Sequence, residues 1–271
     1  MDYGDLISES IEYSREALAG NIKTWLIFII CSLPFALIQF TFDPEKLRAA
    51  KVTDVQGFLS LIPWPQIIAL YLAGFLLSFF ISGYIVRVYR GITPPPQFDT
   101  WGSLFIDGIR IMIVDILWLV PVMLVFAISF AILIAGAVTA RGPASLVAVA
   151  VFILLLLAAL VLTIVTILYS ILGSVRFART GSIREGIRFS AINSAIGTIG
   201  FGTYIISLIV LLIVWVIFIV VVMVLSMIPF VGWVIALVLD PLFSVFCARY
   251  ISRVYDYGIP VEPAPIPVMT P

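Results

Sequence analysis

Tyr84-Ile85-Val86-Arg87-Val88-Tyr89 closes one long apolar run, and Tyr250-Ile251-Ser252-Arg253-Val254-Tyr255 closes the last one. Val175-Arg176-Phe177-Ala178-Arg179 ends a run between them in a weaker version of the same phrase. Such phrases suit the point where a helix leaves lipid. The guanidinium snorkels to the head groups and favours the negative end of the helix dipole, while tyrosine joins the interfacial belt. Each phrase follows, at a nearly constant distance, an acidic residue in a short amphipathic segment. Glu16 to Arg87 is 71 positions, Asp107 to Arg176 is 69, and Glu185 to Arg253 is 68. The regularity predicts three copies of one unit, each an elbow helix followed by a membrane hairpin. Asp107-Gly108-Ile109-Arg110 and Glu185-Gly186-Ile187-Arg188 repeat an acid-Gly-Ile-Arg pattern and support the same division.

The expected fold is therefore all-α: a single polytopic membrane domain of six transmembrane helices in three hairpin repeats, each preceded by an amphipathic interfacial helix. The repeats run over about 5–90, 99–179 and 182–256, with a Pro-rich tail at 257–271. In the first, Ile7, Ile11 and Leu18 give an elbow over residues 5–20 its apolar face, and spans follow at Trp25–Phe42 and Ile67–Val88. Asp43-Pro44 stops the first span ahead of a polar loop carrying Glu45, Lys46, Arg48, Lys51 and Asp54. In the second, Asp99 or Thr100 caps an elbow beginning at Trp101, before spans at Ile111–Val138 and Ser145–Ser174. Pro121 is expected to kink the first of these, and Arg141-Gly142-Pro143 to turn between them. In the third, Ser182-Ile183-Arg184-Glu185 fits a capping box, and spans follow at Tyr204–Met227 and Trp233–Tyr255. Ile228-Pro229-Phe230-Val231-Gly232 is the turn, and Asp240-Pro241 is expected to interrupt the last span.

Composition agrees with this class. Hydrophobic residues make up 63% and charged residues 11% of the 271, with a mean hydropathy of +1.22, whereas soluble domains carry charge at about a quarter of positions. Zero net charge gives no reason to expect nucleic-acid binding. The chain has no histidine, which removes the commonest general base and metal ligand. Cys31 and Cys247 are far apart and without a CxxC pair, so no disulfide, metal or cofactor site is expected. The first 20 residues hold five acids and one base, which is not the pattern of a secretory signal.

Three hairpins return the chain to one side each time. Eleven of the 15 basic residues fall on the side of the elbows and termini, and Lys46, Arg48, Lys51 and Arg141 fall on the other. The positive-inside rule then predicts cytoplasmic termini in a multi-pass cell-membrane protein.

Residues 83–108 carry Gly83-Tyr84, Arg87, Pro95-Pro96, Asp99, Trp101-Gly102 and Asp107-Gly108. This resembles the shared phrase of the archaeal membrane proteins grouped as domain-of-unknown-function family 4013, with Pro-Pro where Leu-Pro is usual. The layout is also loosely similar to membrane domains attached to some glycerophosphodiester phosphodiesterases. The resemblance implies an archaeal membrane protein and no particular activity.

Two kinds of candidate site follow. Arg87, Arg90, Arg176, Arg179, Arg249 and Arg253 are candidates for lipid-phosphate or interface contacts, or for simple topological anchoring. Asp115 and Asp240 lie inside predicted spans, where a carboxylate costs several kcal/mol unless paired or wetted, so they are candidate ion or proton sites. Against that role, Asp115 is within reach of Arg110, Arg87 or Arg249, and Asp240 can cap an amide freed by Pro241. The acidic first elbow, repelled by an anionic surface, either docks on the chain's own arginines or presents a face to a cytoplasmic partner. Glycines at 197, 200 and 202 mark a bend between elbow and span rather than a phosphate loop. No nucleophile–base pair can be assembled, so enzyme activity is not expected. The expected role is a non-enzymatic scaffold, assembly or lipid-handling protein, with membrane lipids and a cytoplasmic protein as partners. The alternative is a small-solute or ion transporter using Asp115 and Asp240.

Overall fold

The computed structural model describes residues 1–43, 55–139, 143–228 and 231–258, and every regular element among them is helical. In chain order these are α1 (Tyr3–Leu18), α2 (Ile22–Leu37) with a 3₁₀ turn at Ile38–Thr41, α3 (Val55–Ser60), α4 (Trp64–Tyr89), α5 (Trp101–Thr139), α6 (Pro143–Thr180), α7 (Ile183–Gly186), α8 (Phe189–Ile199), α9 (Phe201–Ser226) and α10 (Gly232–Gly258). Among the described residues six stretches are long and apolar enough to cross a membrane: Ile22–Thr41, Trp64–Tyr89, Trp101–Val138, Ser145–Thr180, Phe201–Ser226 and Gly232–Gly258. No part of the most apolar stretch of α9 is buried within the protein, so its Ile, Leu and Val side chains need lipid as their solvent. The polar loop at 45–54, the Arg141-Gly142 and Pro229-Phe230 turns and the Pro-rich tail beyond Gly258 lie outside the described residues.

Two sequence expectations fail in the same way. The second elbow is not a separate helix: α5 runs unbroken for 39 residues from Trp101, through Pro121, to Thr139. Likewise α10 continues through Asp240-Pro241 for 27 residues. A proline removes one amide donor, and in an otherwise apolar helix no competing local partner draws the backbone away, so the helix persists. Asp240 therefore starts no helix.

The chain divides into two compact units. The first comprises Met1–Ile109 and Ile205–Arg253, and the second Arg110–Tyr204 with the chain from Val254 onward. In the first unit the core gathers Tyr13, Leu18, Phe28, Tyr84, Phe98, Leu104 and Val245. Tyr84 stacks on Phe98 at 5.2 Å, and Phe28 meets both edge-on at 5.1 and 5.6 Å, each pair adding about 0.5–1.5 kcal/mol beyond area burial. The buried side of α1 is Leu6, Ser10, Tyr13, Ser14, Ala17 and Leu18, whereas the expected Ile11 is 53% exposed. Ser10 and Ser14 allow this rotation because their hydroxyls donate to the carbonyls of Leu6 and Ile11, leaving no polar atom unmet. Trp25 on α2 donates its indole N–H to the Val238 carbonyl of α10 at 2.9 Å.

Glycine sets the closest approaches. A Cβ on Gly83 would sit 1.9 Å from the Leu104 carbonyl oxygen, and one on Gly108 would sit 1.9 Å from that of Phe79. Helices α4 and α5 thus meet backbone to backbone at two reciprocal glycines. In the second unit α6 meets α7 similarly, since a Cβ on Gly173 would lie 2.5 Å from the Gly186 carbonyl. Gly200, at φ +88°, makes the bend between α8 and α9 that the sequence placed there.

Candidate functional site

The arginine phrases at the ends of α4, α6 and α10 are each engaged by carboxylates of the same chain. In the first unit Arg87 is nearly buried, at 8% exposure. Its guanidinium donates to the Asp99 carboxylate, to the carbonyls of Gln97 (2.9 Å) and Asp99 (3.1 Å), and to the hydroxyls of Thr100 (2.5 Å) and Ser103 (3.0 Å). Thr100 holds a left-handed conformation, φ 45°, rare for a β-branched residue, and the Arg87 contacts offset that strain. The Arg87 hydrogen bond holds the Asp99 carboxyl below the usual carboxylate value. One turn on, Arg90 donates to Asp107 at 2.7 Å. Asp107 and Gly108 are adjacent, so the carboxylate grips the end of α4 where the glycine lets the two backbones touch.

The last phrase belongs to the same unit. Arg249, 5% exposed, donates to Glu9 of α1 at 2.7 Å, and Arg253 donates to the other Glu9 oxygen at 2.8 Å. The Arg249 guanidinium also lies over the Tyr13 ring, 4.5 Å from its centroid, and Tyr13 donates its hydroxyl to the Ile92 carbonyl. Burial pushes the Tyr13 phenol up to about 12, against the pull of Arg249 and with Glu16 adding to the rise. Ser252 bonds the Tyr89 carbonyl at 3.3 Å and Tyr250 the Ser207 carbonyl at 2.9 Å.

In the second unit Arg176 binds Glu185 through two nitrogens at 3.1 and 2.5 Å, and Arg188 reaches the second Glu185 oxygen at 3.1 Å. These bonds hold the Glu185 carboxyl below its usual value. Arg179 takes both oxygens of Asp256 at 2.7 and 2.8 Å. The Trp118 indole donates to the Gly186 carbonyl, which fixes the tip of α7. The capping box is not made: Ser182 stands at the N-cap without a side-chain bond, because Glu185 has turned to Arg176 and Arg188.

Glu9 was not singled out by spacing, which pointed to Glu16, an exposed residue of α1. A signal was present. Glu9-Ser10-Ile11 repeats the acid-small-Ile pattern of Asp107-Gly108-Ile109 and Glu185-Gly186-Ile187, with serine in place of glycine. Asp99 stood out as a helix cap and as part of the 83–108 phrase but not as a partner of Arg87, and nothing in the sequence pointed to Asp256.

The two intramembrane acids take no part in these clasps. Asp115 on α5 accepts a hydrogen bond from Ser174 of α6 at 3.0 Å, and two of the three arginines named as its partners bind other acids, Arg87 with Asp99 and Arg249 with Glu9. Asp240 is exposed and lines a cavity of about 430 Å³ in the first unit, together with Ala36, Gln39, Phe218, Ser226 and Trp233.

Residues 66–230 match a family model described as Protein of unknown function (DUF4013). The match covers more than half of the 271 residues, so the chain belongs to that family. No curated protein and no solved structure matches it.

Proposed function

We propose that this member of the family is a non-enzymatic integral membrane protein of the cell membrane, acting as a scaffold, assembly or lipid-handling protein through its elbow face. It consists of three hairpin repeats, the first and third led by interfacial elbows and the second by the first turns of α5 itself, with both termini cytoplasmic. The observation that carries this reading is the pairing of all six candidate arginines, in the phrases or beside them, with carboxylates of the chain's own elbows, loops and last helix. The exit arginines of the first two hairpins grip the acid that leads into the next one, Arg90 with Asp107 and Arg176 with Glu185, and those of the third, Arg249 and Arg253, return to Glu9 ahead of the first. Arginines so engaged are poorly placed to gather lipid phosphates. Their work is to fix the elbows, whose outer surfaces then form a rigid charged platform. The 11-to-four distribution of basic residues supports a cytoplasmic position for that platform.

The test is extraction into native-lipid particles followed by mass spectrometry of what remains bound. A stoichiometric protein or a discrete lipid supports the scaffold reading. A lone protein with bulk lipid alone overturns it.

Transport is the second reading, and Asp240 favours it, because a carboxylate open to a cavity inside a span is how a transport site begins. It expects Asp240→Asn to abolish uptake or efflux in vesicles, and unchanged flux removes Asp240 from the mechanism.

A further inference from the structure

Asp240 lies eight residues into α10, a rise of about 12 Å from the helix start. Among the described residues no cationic side chain pairs with it. The other polar groups of its cavity are Gln39, Ser226 and the indole N–H of Trp233. Gln39 donates one of its two amide N–H groups to the Ala36 carbonyl at 2.9 Å, and its side-chain carbonyl remains as an acceptor. The cavity therefore presents a carboxylate, an amide oxygen and a hydroxyl, a set rich in acceptors and bearing one negative charge. What satisfies it is a donor with positive charge. The rest of the lining is apolar and aromatic, with Phe218 and with Trp233, against which Phe40 packs edge-on at 5.1 Å. Trp233 precedes Asp240 by seven residues, two helical turns or about 10 Å along the same face. A single carboxylate with two neutral oxygens falls short of the six to eight oxygens a Ca²⁺ ion takes. The volume, about 430 Å³, lies within the range of about 300–1,000 Å³ typical of small-molecule sites.

We propose that this cavity is a binding site for a small amphiphilic amine, its ammonium group on Asp240 and the Gln39 carbonyl and its apolar arm running toward Trp233. The site goes beyond the scaffold reading and requires neither a partner protein nor flux. Its test uses the full chain in lipid nanodiscs with hexylammonium as probe and hexanol as its uncharged counterpart, followed by calorimetry and tryptophan fluorescence. Hexylammonium is expected to bind saturably and to perturb tryptophan emission, and Asp240→Asn to weaken it at least about tenfold. Asp115→Asn is expected to leave binding unchanged. Equal binding of hexanol, an unaltered affinity in Asp240→Asn, or no binding of either probe overturns the proposal. So does a response to Na⁺ with none to the amine. Binding that emerges only in a K46A/R48A/K51A variant also overturns it, by assigning the carboxylate to the chain's own cations. Gln39→Leu provides a second variant that adds no charge change, and a loss of about three- to tenfold is expected there.

Discussion

Asp107-Gly108-Ile109-Arg110, whose first three residues close a segment of the first unit, lies inside the unbroken helix α5, whereas in the second unit Glu185-Gly186-Ile187-Arg188 straddles the end of the four-residue α7. The same phrase thus tolerates two backbones. What stays constant is the contact: an acid on an arginine at the end of the preceding helix, and a glycine against that helix's backbone. The burial differs too. Arg249 and Arg87 are almost enclosed, while the side chain of Arg176 keeps 22% of its surface. The phrase encodes a joint between helices, and its surroundings decide whether the chain continues straight or breaks.

The largest expected effect comes from closing the glycine contacts. Gly83→Val or Gly108→Val drives a side chain into a carbonyl at 1.9 Å, and loss of folded, monodisperse protein in detergent is expected, a cost above about 3 kcal/mol. Gly102→Ala, where a Cβ meets nothing within 4 Å, is expected to be neutral or slightly stabilising in thermal denaturation. If both changes behave alike, the joint is not a backbone contact.

Next in size is the charge latch of the first unit. Glu9→Ala strands Arg249, and a loss of about 1–3 kcal/mol is expected, the upper end reflecting a guanidinium left buried and the lower end the exposure of Glu9. Glu185→Gln in the second unit is expected to lower Tm less, because Arg176 retains water. The reverse order, measured on the two variants side by side, would erase the contrast between the units.

Protonation sharpens the comparison further. Asp99 and Glu185 have depressed folded-state values, so the unfolded chain binds protons more readily and their stabilisation is present above the ordinary carboxylate range. It is lost as pH falls through the folded values. Tm measured from pH 7 down to pH 3 is expected to fall more steeply in the wild type than in Glu185→Gln. Tyr13 works in the other direction. Its folded value of about 12 lies above the usual 10, so its contribution is complete below pH 10 and fades between 10 and 12. Tyr13→Phe is expected to flatten that alkaline slope. The smallest effect belongs to Ser182→Ala, within about 0.5 kcal/mol, since no capping bond is there to lose.

The apolar runs gave all six spans to within a few residues at most ends, because length and hydropathy alone decide what lipid will accept. The arginine phrases were legible for the same reason: a charge at the end of such a run has few alternatives. Helix continuity was not. Trp101 to Ile109 reads as an elbow and Ile111 onward as a span, yet nothing between them ends a helix, and periodicity cannot show whether two helical patterns share one axis. Proline at 241 was read with rules from water, where a freed carbonyl finds solvent and the break is cheap. Glu9 was hidden by spacing, since a count near 70 measures chain length and says nothing about which side chain reaches across. The cavity at Asp240 joins residues more than 200 positions apart, Ala36 to Asp240, and only packing brings those together.

The Glu9–Arg249 pair spans 240 positions of chain. On a ribosome adding roughly 5–20 residues per second, α1 waits on the order of 10–50 s for its partner to appear. For that interval it must remain near the bilayer without sinking into it or binding something else. Five acids against one base over the first 20 residues, repelled by anionic head groups, keep it in suspension. The first unit is thus sealed by its last helix, and a nascent chain interrupted before Arg249 would carry an acidic helix still seeking its partner.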